Sequence, residues 1–283
     1  MSGADVVDSH HHLWDTDELA YRLFETIEQL NRPFTAADFE TEAEQLGISQ
    51  SICVEAASAG ADGRHETGWL LRQIEGSARI AALVAWAPLE RRDLDQYLDW
   101  LASLEGKPIV GVRRSFEFEP PDFPQKPAVI EGARLAGARG LVVDLVMFSR
   151  SLRAAIALVD ACPDTQFVLD HLGKPRIREG RREPWGRELR ELALRPNVVC
   201  KLSGLPTEAD RESWGTADLR PYVEHALDCF GAERLLFGSD WPVVNLAGGL
   251  GRWSAAVGEL LGQLNQPTRS GILAGNARRI YSL

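Results

Sequence analysis

The chain alternates along its length between short apolar runs rich in β-branched residues and longer segments with helical periodicity. In runs such as IAALVA and VVCKL, apolar residues occur at both odd and even positions and so on both faces of the strand. This is typical of a parallel sheet covered on both faces. This pattern predicts eight strands, at Ala4–Asp8, Ser51–Glu55, Arg79–Ala85, Ile109–Arg113, Leu141–Val146, Gln166–Asp170, Asn197–Leu202 and Arg234–Ser239.

The same pattern predicts eight helices, at Ala37–Leu46, Glu66–Gln73, Leu94–Leu104, Ala128–Ala138, Ser151–Ala161, Trp185–Leu194, Ala217–Phe230 and Trp253–Leu264. Eight β/α units in 283 residues fit a (β/α)8 TIM barrel that forms a single α/β domain over residues 1–283. An open doubly wound sheet fits less well, because no G-x-G-x-x-G follows the first predicted strand.

Charge and composition exclude several classes of partner. The chain has 31 Lys and Arg against 41 Asp and Glu, a net charge of −10 that repels phosphate backbones and anionic lipids. We therefore expect neither nucleic acid nor a membrane as partner. With no basic leader and no apolar run near the ~18 residues of a membrane span, we expect a cytoplasmic protein. The 4 cysteines form no C-x-x-C pair, which argues against a thiolate zinc site. The sequence leaves the oligomeric state open.

Titratable residues cluster where the predicted strands end. Alternate side chains of a strand share a face, so His10 and His12 are expected to point into the barrel mouth while His11 points elsewhere. The sixth strand closes in His171 and the eighth in Asp240. Because the carboxyl ends of barrel strands build the active site, these side chains are expected to converge. Such a cluster can hold a divalent metal or, without one, orient and deprotonate a water molecule.

Six motifs share their order with those of a known family: DSHHHLWD at the first strand, GVRR at 111–114, VLDHLGKP at 168–175, VVCKLSGL at 198–205, LLFGSDWPV at 235–243 and GNARRIY at 275–281. They resemble the amidohydrolase superfamily and, more narrowly, its branch rich in lactonases, which includes fuconolactonases, rhamnonolactonases and pyrone-dicarboxylate lactonases. The resemblance spans essentially the whole chain, and it implies a (β/α)8 barrel that hydrolyses a cyclic ester.

The resemblance also implies roles for single residues. His10 and His12 match the family's paired histidines, His171 its strand 6 histidine and Asp240 its general base, while Arg113 matches an arginine that contacts a carbonyl or carboxylate. The lysine that bridges two metals elsewhere in the superfamily has no counterpart at the fourth strand, which argues against a binuclear centre. Members of the branch occur with zinc and without metal. Two alternatives therefore stay open: one zinc ion held by His10, His12 and Asp240, or a mechanism without a metal.

Further residues at strand ends have two interpretations each. Glu55 is a metal ligand or substrate contact, or a salt-bridged glutamate; His171 is a further candidate ligand. Lys174 reaches substrate oxygens or lies at the surface, and Lys201 contacts substrate or belongs to a buried ion pair. Trp86 and Trp241 flank the predicted mouth and either stack on a sugar ring or pack in the core.

Of Arg113 and Arg114, alternation lets only one face inward, and we expect Arg113. Taken together, these features predict a hydrolase that opens a small cyclic ester, in particular a sugar aldonolactone, with Asp240 as general base. Few other arginines lie near the predicted mouth, so a pyrone dicarboxylate is the less favoured substrate. The alternatives are a metal-dependent decarboxylase of the same superfamily and a barrel that binds a ligand without turning it over.

Overall fold

The structure of the chain, a computed structural model, describes residues 5–56, 63–104 and 106–283 and contains eight parallel strands. Neighbours along the chain pair with one another in sequence order, from the first strand to the eighth. The strands are β1 (Val6–His11), β2 (Ile48–Val54), β3 (Ile80–Trp86), β4 (Ile109–Ser115), β5 (Val142–Val146), β6 (Phe167–Leu169), β7 (Val198–Leu202) and β8 (Leu235–Phe237). The predicted (β/α)8 barrel is confirmed.

Helices follow the strands and surround the barrel. They are α1 (Ala36–Gln45), α2 (Arg64–Glu75), α3 (Leu94–Ala102), α4 (Pro127–Ala138), α5 (Leu152–Ala161), α6 (Trp185–Ala193), α7 (Leu205–Glu208), α8 (Thr216–Phe230), α9 (Gly249–Leu260), α10 (Gln266–Ser270) and α11 (Asn276–Tyr281). Within the described residues, none of these helices has the length and apolar character needed to span a bilayer. The short α7 and the C-terminal pair α10 and α11 were not among the predicted helices.

The bounds of the elements differ from the sequence prediction mainly near the functional end of the barrel. The predicted first strand begins at residue 4, outside the described residues, and the observed β1 continues beyond Asp8 to His11. β6 and β8 are only 3 residues long, because the chain leaves the sheet after Leu169 and after Phe237 to form tight turns. α9 begins and ends earlier than predicted, since its buried face already starts at Leu250.

The apolar core has two layers. One fills the barrel itself with small and branched side chains, which include Val7, Ile52, Val54, Ala82, Val84, Val142, Val168, Val199 and Leu236. The other lies between the strands and the surrounding helices and contains the large aromatic side chains, such as Phe39 and Trp253. Burial on both faces explains why the strands are apolar at successive positions.

Inside the barrel, the side chains change from apolar to charged toward the carboxyl ends of three neighbouring strands. An inward valine is followed two positions later by an inward charged residue, and all of these charged side chains are fully buried. The pairs are Val142 and Asp144 on β5, Val168 and Asp170 after β6, and Val199 and Lys201 on β7. A charged layer therefore lies on an apolar floor.

The C-terminal segment closes the opposite end of the barrel. Ala274, Ala277 and Tyr281 pack against the interior valines. Asn276 is buried, and its amide donates to the carbonyls of Ala232 (2.8 Å) and Leu235 (2.7 Å) at the start of β8. These two hydrogen bonds attach α11 to the barrel.

Replacing Asn276 by alanine leaves both carbonyls without their side-chain donor in a buried position. An unsatisfied buried polar group costs about 1–3 kcal/mol, so we expect Asn276→Ala to lower the free energy of unfolding by about 2 kcal/mol or more. Urea denaturation followed by circular dichroism measures the change. The exposed Gln263→Ala is the matched control and should change stability by less than about 0.5 kcal/mol. An equal effect of both variants would contradict this role for Asn276.

Candidate active site

The site lies where the ends of β1 and β8 meet. The Asp240 amide donates to the His10 carbonyl (2.8 Å), and the His12 amide donates to the Trp241 carbonyl (2.7 Å). These backbone bonds place the Asp240 carboxylate 3.5 Å from His12 Nε2 and 3.8 Å from His10 Nε2. His171, from the turn after β6, brings its Nε2 to 4.0 Å from the same carboxylate oxygen. The four residues expected to converge do lie together.

An irregularity in β1 sets the direction of its histidines. Asp8 pairs with Ser51 and His11 pairs with Cys53, so three steps along β1 match two steps along β2. Such a bulge shifts the alternation of side chains beyond it and is frequent beside active sites. The order of inward and outward residues in β1 therefore changes between its beginning and its end.

The bulge turns His10 and His12 toward the barrel interior. Val7 faces the interior, and strict alternation from Val7 would place His11 there instead. His11 lies outside the barrel, where its ring stacks on Phe39 of α1 at 3.9 Å between centroids. His10 and His12 meet with their Nε2 atoms 3.1 Å apart. The expected division between these histidines holds, although a bulge is needed to produce it.

His171 and Lys174 occupy a strained turn. His171, Leu172 and Lys174 have φ values of 55°, 52° and 50°, in the left-handed region that costs an L-residue about 1–2 kcal/mol. Gly204 gives the turn space, because a Cβ there would lie 2.5 Å from His171 Nδ1. The same Nδ1 is 2.9 Å from Ser203 Oγ, which leaves Nε2 directed at Asp240. Strain of this kind typically occurs at functional sites.

A layer of buried ions lies directly beneath the histidines. The Lys201 ammonium bonds Asp144 and lies 3.0 Å from Asp170 Oδ1 and 3.1 Å from His10 Nδ1. The hydroxyl of Tyr281, from the opposite end of the barrel, donates to Asp144 (2.8 Å). Lys201 therefore belongs to a buried ion pair, and of its two interpretations the structure favours this one.

Arg113 links this layer to β2. Its Nε donates to Glu55 Oε1 (2.6 Å), Nη1 to Asp170 Oδ2 (3.1 Å) and Nη2 to the Glu55 carbonyl (2.5 Å). Glu55 is thus a salt-bridged glutamate. Arg113 still lines the cavity, and two of its five N–H groups make no hydrogen bond with the described residues. Arg114 bonds Glu90 (2.9 Å) and also lines the cavity.

Burial fixes the charge state of the histidines. Burial lowers the pKa of His10 well below its usual value and that of His171 to about 4, so both imidazoles are neutral at pH 7. Burial opposes ionisation of Asp240, but the attraction of His171, with His12 nearby, lowers its pKa below the ordinary value. Asp240 is therefore an ionised carboxylate at neutral pH, beside neutral imidazoles.

The pKa values of the two aspartates beneath the histidines are shifted in opposite directions. Burial opposes ionisation of Asp170, but the positive charge of Lys201, with His10 and Arg113 nearby, holds its pKa well below the ordinary value. For Asp144 burial dominates and raises the pKa to about 6, although Lys201 lowers it in part. The layer therefore keeps a negative charge beside Lys201 at neutral pH.

The side chains around Asp240 line a cavity of about 590 Å³, which is large enough for a sugar-sized molecule. His12, Arg113, His171 and Asp240 form its floor. Its walls come from the segments after β1, β4, β6 and β8, from α7 and from strand ends. They include Arg22, Leu23, Phe24, Ser115, Glu117, Phe118, Val146, Lys174, Thr207 and Val243. Lys174 faces the cavity and forms an ion pair with Glu117.

The two tryptophans expected at the mouth lie elsewhere. Trp241 is buried against Phe34 and Phe39 and donates to Glu42 Oε1 (2.9 Å). Trp86 packs edge-on against Tyr97 at 5.6 Å between centroids. The lining formed by the described residues includes neither, so their geometry favours the packing interpretation.

Sequence reasoning missed three residues of the site. Asp170 contacts His10, Arg113 and Lys201, Glu117 neutralises Lys174, and Tyr281 supports Asp144. The valine-x-charge pattern on β6 and β7 carries a signal for Asp170, because it places the charge inside the barrel. Glu117 and Tyr281 come from a loop and the C-terminal helix, where periodicity gives no sign of direction.

The residues could hold one metal ion. The ligand atoms of His10, His12 and Asp240 lie within 4.8 Å of one another, as do those of His10, Asp170 and His171. Three protein ligands with an open position are typical of catalytic zinc. Glu55, an expected further ligand, is paired with Arg113 instead.

Comparison with known proteins agrees with this geometry. The amidohydrolase family model matches residues 7–283. An L-fucono-1,5-lactonase of Burkholderia multivorans is 34% identical over 300 residues, which cover 99% of this chain and 97% of the relative. One from Burkholderia ambifaria is 32% identical over 98% of this chain and 95% of its own length. A crystal structure of a Burkholderia multivorans amidohydrolase with bound zinc superimposes with a TM-score of 0.90 at 32% identity, covering 99% of this chain and 100% of that one. The chain belongs to the amidohydrolase family.

Proposed function

We propose that this protein hydrolyses the cyclic ester of a small sugar-derived lactone. The observation that carries the proposal is the ionised Asp240 carboxylate, which lies beside the neutral imidazole of His171 and near Arg113 on the floor of a sugar-sized cavity. Relatives that match nearly the whole chain are L-fucono-1,5-lactonases, which supports the same reaction class.

Asp240 acts as the general base. As a carboxylate it accepts a proton from a water molecule, whose oxygen attacks the lactone carbonyl. The C–O bond of the ring then breaks, and the proton held by Asp240 returns to the departing ring oxygen, which becomes a hydroxyl. His171, 4.0 Å from Asp240, is placed to relay this proton. Its neutral state at pH 7 lets one ring nitrogen accept a proton while the other donates.

The negative charge that develops on the carbonyl oxygen requires donors. Arg113 has two N–H groups left after its three bonds to Glu55 and Asp170, and it is held rigidly by those bonds. Preorganised donors of this kind stabilise a transition state by about 3 kcal/mol each.

Ion pairs neutralise two of the three cationic side chains of the cavity wall, with Arg22 as the third, and this favours a neutral substrate. Arg114 is paired with Glu90 and Glu119, and Lys174 is paired with Glu117. Ion pairs of this kind offer donors and acceptors to hydroxyl groups but little net charge to attract a carboxylate. A polyhydroxylated aldonolactone therefore suits the wall better than a pyrone dicarboxylate.

A divalent cation is compatible with the same residues. His10, His12 and Asp240 would hold it, and it would polarise the lactone carbonyl as a Lewis acid. The chain's own contribution is unchanged: Arg113 orients the carbonyl, and the cavity walls bind the hydroxyl groups of the sugar.

Asp240→Asn tests the general base. An amide keeps the size of the side chain but cannot accept the proton of water, so we expect kcat on an active aldonolactone to fall about 1000-fold or more. Proton release measured with a pH indicator over a panel of aldonolactones gives the rate, and carbon dioxide release from aromatic acids tests decarboxylation. The exposed Asp164→Asn is the matched control. Wild-type rates in Asp240→Asn would show that another group activates water.

Glu117→Gln tests the neutral character of the wall. Removing the carboxylate leaves Lys174 with an uncompensated charge in the cavity, so the ratio of kcat/KM for an anionic lactone to that for a neutral one should rise about tenfold. Steady-state kinetics with a pyrone dicarboxylate and a neutral aldonolactone give the ratio. The exposed Glu25→Gln should leave it unchanged. A ratio that stays constant in Glu117→Gln would mean that this pair does not select the substrate.

A further inference from the structure

Lys201 sits among three hydrogen-bond acceptors inside the barrel. Its ammonium bonds Asp144, lies 3.0 Å from Asp170 Oδ1 and lies 3.1 Å from His10 Nδ1. The side chain is fully buried, so its donors depend on these neighbours. An ammonium has three N–H groups and no acceptor. The hydrogen bonds of Lys201 go to Asp144 and to His10 Nδ1, and the second one requires a lone pair on that nitrogen.

A proton on His10 Nδ1 would have the opposite effect. It would bring an N–H group against the N–H of Lys201 across 3.1 Å and leave one ammonium donor without an acceptor. A buried donor without a partner is destabilising. The contact with Lys201 therefore favours the His10 tautomer whose proton is on Nε2.

His12 is fixed in the other tautomer. Its Nδ1 lies 2.8 Å from the carbonyl of Val54, and because a carbonyl only accepts, that nitrogen carries the proton. Nε2 of His12 lies 3.1 Å from His10 Nε2, so it accepts the proton that His10 carries there. The hydrogen bonds run in one direction, from Lys201 to His10, from His10 to His12 and from His12 to Val54.

We propose that Lys201 is a positioning residue that holds His10 with its proton on Nε2 and thereby disfavours a metal ion at the His10, His12 and Asp240 cluster. With the proton there, His10 donates to His12 beside the Asp240 carboxylate. A metal ion needs a lone pair on the same nitrogen, so the proton has to leave or move to Nδ1, where Lys201 opposes it. The inference concerns the protein without substrate and does not depend on which lactone it hydrolyses.

Asp170 provides the competing arrangement. Its Oδ1 lies 3.2 Å from His10 Nδ1, in the position of a carboxylate that accepts a proton from a metal-bound histidine. Lys201 contacts both groups and holds Asp170 as its own ion-pair partner. Without Lys201, His10 can donate to Asp170 through Nδ1 and direct the Nε2 lone pair at a cation.

The tautomers can be read directly in the wild-type protein. Long-range ¹H–¹⁵N correlation spectra of ¹⁵N-histidine-labelled, metal-free protein separate protonated from unprotonated ring nitrogens, and single His→Gln variants assign the signals. We expect His10 to be protonated at Nε2 and His12 at Nδ1. Finding His10 protonated at Nδ1 would overturn the proposal.

Zinc binding provides the second test. The pair Lys201→Met with Asp144→Asn removes the ammonium and one buried carboxylate together, and Asp144→Asn alone is the matched control that keeps Lys201. Titration calorimetry with zinc chloride should show at least tenfold tighter binding by the double variant, and its His10 should be protonated at Nδ1. Equal zinc affinities with an unchanged His10 tautomer would overturn the proposal. If the double variant does not fold, the wild-type spectrum decides.

Discussion

The hydrogen bonds between β1 and β8 close the barrel, and they are made by the backbone of the residues whose side chains form the site. The amide of Asp240 bonds the carbonyl of His10, and the amide of His12 bonds that of Trp241. Gly238 permits this approach, because a Cβ there would lie 2.8 Å from His10 Cβ. Closing the sheet therefore fixes the distance between the carboxylate and the imidazoles. The site acquires its geometry from the most constrained part of the fold rather than from a loop.

The layer of charged residues under the histidines also depends on the closed barrel. Isolated charges in a barrel core would be strongly destabilising, and burial becomes tolerable only when each charge is paired and hydrogen-bonded. Lys201 and Arg113 are placed between Asp144, Asp170 and Glu55, and the C-terminal Tyr281 completes the set from the opposite end. A network of this kind resists small displacements, because shifting one member leaves its partners unsatisfied. It therefore orients His10 and Arg113 more rigidly than apolar packing would.

The sequence was sufficient to predict the number, order and type of the strands and most of the helices. Each strand is buried on both faces, which makes its apolar run easy to recognise. The convergence of His10, His12, His171 and Asp240 could also be predicted, because all four stand at strand ends on the same face of a barrel. The direction of Glu55 could not, since a strand-end carboxylate is equally compatible with a cation and with an arginine, and Arg113 lies 58 positions away.

Backbone strain explains why the conformation of the turn after β6 could not be predicted from the sequence. Periodicity assumes ordinary backbone angles, whereas the turn from His171 to Lys174 is left-handed. Its conformation is stabilised by contacts distant in sequence: Ser203 holds His171, Trp185 Nε1 donates to the Leu172 carbonyl (2.7 Å), and Glu117 pairs with Lys174. The turn directs two functional side chains, three positions apart, into one cavity. Because a regular strand would send them to opposite faces, the strain is the means by which β6 supplies two groups to the same site.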